Sequence, residues 1–230
     1  MELEERLKRI VSDCTRSKRS EHQKTLKEFL ELTHEAAVRT AEGADLSSKL
    51  DNSLHNIMQA LKETADYLDA AAHIEELVFN STNGCIYDIP TKTKRPYEAY
   101  QDDIRAEFES GNISFRPYVY VLWRAKSPSQ FLYIGKATDE GRLLGSNHVK
   151  LAASLPLSTT ISLVFPHQSK PENISNLEAS LIRLVEFETG KIPVNNAKRE
   201  NLDGHDASNR LEALADLFQH LGEKLDPFID

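Results

Sequence analysis

Tyr118-Val119-Tyr120-Val121-Leu122-Trp123 and Phe131-Leu132-Tyr133-Ile134-Gly135-Lys136 are the two segments from which the fold is read. Both are short and rich in β-branched and aromatic residues, and the stretch between them, 124–130, is polar or turn-forming apart from Ala125. That pattern predicts a β-hairpin. Alternate side chains of a strand share a face, so Tyr118, Tyr120 and Leu122 project together, as do Tyr133 and Gly135. Two phenols are thereby expected on one surface.

Downstream of the hairpin, 139–142 reads as a loop, and Ser146 is a good N-cap for a helix over 147–155 that Pro156 closes. Thr160 to Phe165 reads as a strand and 166–171 as a solvent loop. Ser175-Asn176-Leu177-Glu178 opens an amphipathic helix through Leu181, Ile182, Val185 and Phe187, ended by Gly190 and followed by Pro193-Val194-Asn195-Asn196. A last helix, capped by Asp206, carries Leu211, Leu214, Leu217, Phe218 and Leu221.

Upstream, Cys85 to Ile89 reads as a short strand. Lys92, Lys94 and Arg95 form a small basic loop, and 97–108 a helix stopped by Gly111. The turn-forming cluster Asn80-Ser81-Thr82-Asn83-Gly84 marks a domain boundary. Before it, Leu3, Leu7, Ile10, Val11 and Cys14 form a helical stripe, and 15–24 reads either as a loop or as a solvated helix face. A second helix is marked by Leu26, Phe29, Leu30 and Val38, and a third over 45–79 carries Leu50, Leu54, Ile57, Leu61 and Leu68 on a heptad. Such a seam packs either against another helix of the chain or against a second subunit, giving a homodimer through the N-terminal helices.

The motifs from the hairpin to Asn195 resemble those of the GIY-YIG nuclease superfamily. Tyr133-Ile134-Gly135 matches the second motif letter for letter, and Tyr118-Val119-Tyr120 is a degenerate first motif with Tyr in the Gly position. The resemblance implies Tyr120 and Tyr133 as the motif tyrosines, Arg142 as the phosphate-binding arginine, Glu178 as the metal ligand and Asn195 as the supporting amide. Lys136, His148 and Tyr118 are implied as weaker substrate contacts. Many members place a His one helical turn after the arginine; here position 146 is Ser, and the nearest His is His148. The fold implied is α+β, a small central sheet flanked by helices with an N-terminal all-helical domain. The divisions expected are an acidic helical domain (1–82), a linker with a short helix (83–112), a nuclease-like domain (113–203) and a C-terminal packing helix (204–230).

The chain carries 28 Lys and Arg against 36 Asp and Glu, a formal charge of -8. Distribution matters more than the sum: 115–200, the segment with the motifs, holds 11 basic and 7 acidic residues, whereas 1–114 holds 15 and 22. The motif segment is therefore the basic one, as a polyanionic substrate requires. Apolar runs are only a few residues long, so no membrane span is expected. Cys14 and Cys85 lack metal-ligand spacing, which points to a reducing cytoplasm.

Phosphodiester hydrolysis needs an activated water, charge stabilisation at phosphorus and help for the leaving oxygen. In the resembled chemistry a single carboxylate, Glu178, holds Mg²⁺ or Mn²⁺, whose other ligands are water and phosphate oxygens. Arg142 offers a fork matched to two phosphate oxygens, and Tyr120 with Tyr133 accepts or relays the water's proton. The function implied is a divalent-metal-dependent DNA endonuclease; the rival is an inactive nucleic-acid-binding or oligomerising module. Each residue also has a packing explanation. Ser175-x-x-Glu178 in particular has the form of a capping box, in which the acid serves only a helix end.

Overall fold

The computed structural model describes residues 2–41, 48–89, 104–124, 130–138, 160–193 and 196. The architecture is mixed α and β: long N-terminal helices, a four-stranded antiparallel sheet, and one further long helix packed on it. Helix α1 spans Leu3–Ala41 and α2 spans Ser48–Ile74, continued by a π turn, Glu75–Phe79. The strands are β1 (Cys85–Ile89), β2 (Tyr118–Arg124), β3 (Gln130–Ala137) and β4 (Thr160–Phe165), and helix α3 is Pro171–Thr189. Residues 104–109 are helical and run into a turn in which Gly111 takes a positive φ of 75°. The helices expected over 147–155 and 204–230, and the basic loop at 92–95, lie outside the described residues.

The segment 15–24, open between loop and helix in the sequence, is helix, so α1 is one element and not two. It has no apolar period, but nothing breaks it, and exposed pairs such as Arg16–Asp13 at 2.7 Å and Lys18–Glu21 at 2.7 Å sit three residues apart on its surface. Only the first part of α1 meets the sheet, through Leu3, Leu7, Ile10, Val11 and Cys14. Helix α2 contributes Ala70, Ala71 and Ile74, and α3 contributes Ile174, Leu177, Leu181, Ile182, Leu184 and Val185. These side chains share one apolar core with Val119, Val121, Trp123, Ile134 and Val164 from one face of the sheet. No break in packing therefore falls at residue 82, and β1, within the expected linker, is a strand of the same sheet.

The strand order is β1-β4-β2-β3, all neighbours antiparallel, with β3 at an edge. The opposite face forms a second core from Tyr118, Tyr120, Leu122, Leu132, Leu163, Phe165, Ile104 and Ile113. Strand alternation sorts the hairpin between the two cores as the sequence requires. A β-bulge at Leu122/Trp123 sets Tyr133 opposite Leu122 and Phe131 opposite Trp123.

A polar relay crosses this sheet. Trp123 Nε1–H donates to Ser162 Oγ at 2.8 Å, the Ser162 hydroxyl donates to Asp88 Oδ1, and Asp88 Oδ2 accepts the Leu3 backbone N–H at 3.2 Å. Three strands are thus tied to the start of α1, where a carboxylate suits the helix dipole. Ser162 is fully buried, and the relay satisfies its hydroxyl as donor and acceptor.

Both cysteines are free thiols, Cys14 buried and Cys85 exposed. Burial pushes the Cys14 thiol up to about 11, against a smaller opposing effect of Lys18. Because the folded chain holds that proton more tightly, this residue's contribution to stability is lost as pH rises towards about 11. Iodoacetamide at neutral pH is expected to add to Cys85 alone in the native chain, and Cys85→Ser to abolish labelling. Modification of both thiols without denaturant would contradict the burial of Cys14.

Candidate active site

The hairpin brings the two phenols together. Tyr120 pairs with Gly135 across the ladder and Tyr133 lies diagonal to it, with ring centroids 5.8 Å apart and planes at 38°. Gly135 is where this geometry needs a missing side chain: a Cβ there would stand 2.5 Å from Tyr120 Oη and 2.7 Å from Tyr133 Cε1. The glycine of Tyr-Ile-Gly therefore makes room for the two rings. Gly135→Ala is expected to cost about 1–3 kcal/mol by overpacking, lowering the urea midpoint; an unchanged midpoint would show that the rings move aside freely.

The two phenols differ in access. Tyr120 is buried, while Tyr133 is half-buried at the edge strand. Tyr118, expected near substrate, is 1% exposed, and its ring lies 6.1 Å from Phe108, 6.3 Å from Phe115 and 5.4 Å from Phe165. It is a packing residue of the second core.

Glu178 is buried at 5% exposure on α3. The helix begins at Pro171, with Lys170 as an N-cap that makes no side-chain bond, so 171 is not the end of a loop and Ser175 is not a cap. Proline suits the first helical position, where no N–H is needed. The capping-box explanation of Glu178 is thereby removed, since the acid lies in the third turn. What meets it is Lys136, whose Nζ is 3.1 Å from Glu178 Oε2 and also donates to Ser175 Oγ at 3.3 Å. A buried carboxylate demands such a partner. The sequence shows Ser175, Glu178 and Lys136 as separate features; only the structure reveals that Ser175 and Glu178 share one ammonium.

The sequence points to Asn195, but the amide that the structure sets against β3 is Asn196. Its Oδ1 accepts the Ile134 N–H at 3.0 Å and its Nδ2–H donates to the Ile134 carbonyl at 2.7 Å. The carboxamide so imitates one residue of a further strand, satisfying an outward-facing peptide of edge strand β3. Asn195 lies outside the described residues, as do Arg142 and His148.

The groups lie to either side of one strand. Tyr120 and Tyr133 belong with the second core, whereas Lys136 joins α3 on the face of the first. Tyr133 and Lys136 are three residues apart along β3, about 10 Å in an extended strand. Among the described residues β3 is an edge strand, and Asn196 clasps it at Ile134, between the two groups. Among the described residues no group of three or more His, Cys, Asp or Glu side chains is arranged to hold a metal ion. No helix among them is long and apolar enough to cross a membrane. The chain matches no protein-family model, no curated protein and no solved structure.

Proposed function

We propose that this chain is a divalent-metal-dependent DNA endonuclease of the GIY-YIG type, acting at the edge of β3. The observation that supports it most is that β3 carries both one ring of a tilted phenol pair over Gly135 and an ammonium joined to a buried acid on α3. Packing alone accounts for the tyrosines. It does not account for a carboxylate placed mid-helix beneath Lys136, where an apolar residue would cost less.

In this reading the half-buried Tyr133 contacts the attacking water and relays its proton, taking it on the phenolic oxygen as its own O–H proton passes to solvent, with Tyr120 fixing the ring. Lys136 offsets negative charge at the phosphate, and Arg142 supplies the fork for its non-bridging oxygens. A carboxylate oxygen is the kind of donor a hard cation takes. Glu178 would hold Mg²⁺ or Mn²⁺, which when bound supplies an acidified water and charge for the leaving oxygen. The Lys136 ammonium must then yield part of its contact with Glu178.

That ion pair also favours a second reading, a nucleic-acid-binding module without cleavage, because a carboxylate already neutralised by Lys136 needs no cation. Relaxation of supercoiled plasmid separates the two. The wild type is expected to nick plasmid with Mg²⁺ or Mn²⁺ but not with EDTA, and Arg142→Ala to slow nicking by about a hundredfold or more. A wild type that leaves duplex, branched and single-stranded DNA intact with either ion would end the nuclease reading.

A further inference from the structure

We infer that α1 carries a second nucleic-acid contact, a phosphate-binding stripe formed by Arg16, Arg19, Lys24 and Lys27. This rests on the nucleic-acid reading above and extends it to a surface outside the candidate active site. Residues 16–27 hold five Lys and Arg against one acid, Glu21, in a chain whose net charge is -8. At 100° per residue the four cations fall within about 140° of arc and about 16 Å of helix length. Ser20 and Gln23 lie between them, so the face is polar throughout, and all six residues are exposed.

The stripe is only partly answered by acids. Arg16 lies 2.7 Å from Asp13, with its side chain 79% exposed, and Lys27 lies 3.8 Å from Glu31, with its side chain 80% exposed. Exposed pairs of this kind hold little free energy and give way readily to a phosphate. Among the described residues no carboxylate forms an ion pair with Arg19 or Lys24. A length of about 16 Å covers about five base-pair steps of duplex, enough for several backbone phosphates.

A nucleic-acid backbone fits better than a lipid surface. A helix lying on a membrane turns a continuous apolar face to the lipid, whereas the stripe of α1 from Leu3 to Cys14 is turned onto α2 and the sheet, and the apolar residues exposed farther along, Leu26, Leu30 and Val38, form no such face beside the cations. The contact is with phosphates and carries no base sequence, so it positions the duplex without selecting a site.

The test measures binding of a short fluorescein-labelled duplex by anisotropy, with the full chain in EDTA so that nothing is cut. Wild type is compared with the quadruple variant Arg16→Gln, Arg19→Gln, Lys24→Gln and Lys27→Gln, which keeps good helix formers, and with Arg16→Lys, Arg19→Lys, which keeps the charge. The neutral variant is expected to bind at least about tenfold more weakly at low salt. Its plot of log affinity against log salt should also be shallower by about 3, while the lysine variant stays near wild type. Circular dichroism checks that the helices persist.

Equal affinity and slope for the wild type and the neutral variant, or no duplex binding by the wild type, overturns the inference. So does a neutral variant that loses retention on anionic vesicles but keeps the duplex, since the partner is then a membrane. Stripe-dependent binding by a chain that never cuts plasmid supports the stripe and removes the nuclease reading; cutting with stripe-independent binding does the reverse.

Discussion

Replacing Glu178 by Gln should reduce metal-dependent plasmid nicking by about two to three orders of magnitude, the usual consequence of removing one group that stabilises charge in a transition state. The substitution keeps shape and removes only the anion. Because Glu178 is 5% exposed and 3.1 Å from Lys136, it also leaves an ammonium facing a neutral amide, so this variant alone mixes lost activity with lost stability. A second substitution separates the two. In Glu178→Gln, Lys136→Met the unanswered ammonium is gone, and the thermal midpoint is expected to return towards wild type. Cleavage stays lost if the acid is a metal ligand. If instead the single variant cuts plasmid at the wild-type rate under both Mg²⁺ and Mn²⁺, Glu178 is only the structural partner of Lys136.

The largest effect on stability is expected at Trp123. Its indole is 1% exposed, stacks on Phe131 with centroids 6.3 Å apart, and lies in the core shared by the sheet and three helices. Trp123→Ala removes that packing, for about 3–5 kcal/mol. It also removes the donor to Ser162 at the head of the relay through Asp88 to Leu3. For a chain of this size the melting temperature should fall by about 10 °C. Trp123→Phe retains most of the ring but not the N–H, and should cost about 1–2 kcal/mol. Equal losses for the two variants, followed by circular dichroism, would mean that the hydrogen bond and not the ring volume dominates.

Much of the sheet is legible in the sequence because alternation is a local property. Val119, Val121 and Trp123 face one core, and Tyr118, Tyr120 and Leu122 the other, as a period of two dictates. The sequence points to a helix start at Ser175 because Ser175-x-x-Glu178 has the spacing of a capping box, whereas α3 starts at Pro171, a residue suited to the first helical position. The continuity of α1 was hidden because residues 15–24 carry charge pairs instead of an apolar period. The boundary read at Asn80 to Gly84 is a real turn, but a turn does not divide a core, and no local signal shows that Leu7 and Val119 will share one. Neither does any local signal choose between Asn195 and Asn196; the choice of Asn196 to clasp Ile134 depends on where the chain passes the edge of β3.

That shared core bears on how the molecule could be dissected or recombined. A fragment begun after α2 would turn Val119, Val121 and Trp123 towards water along with the inner side of α3. Helices α1 and α2 are in this sense a wall of the building, and excising or transplanting the sheet alone would yield a sticky, collapsing remnant.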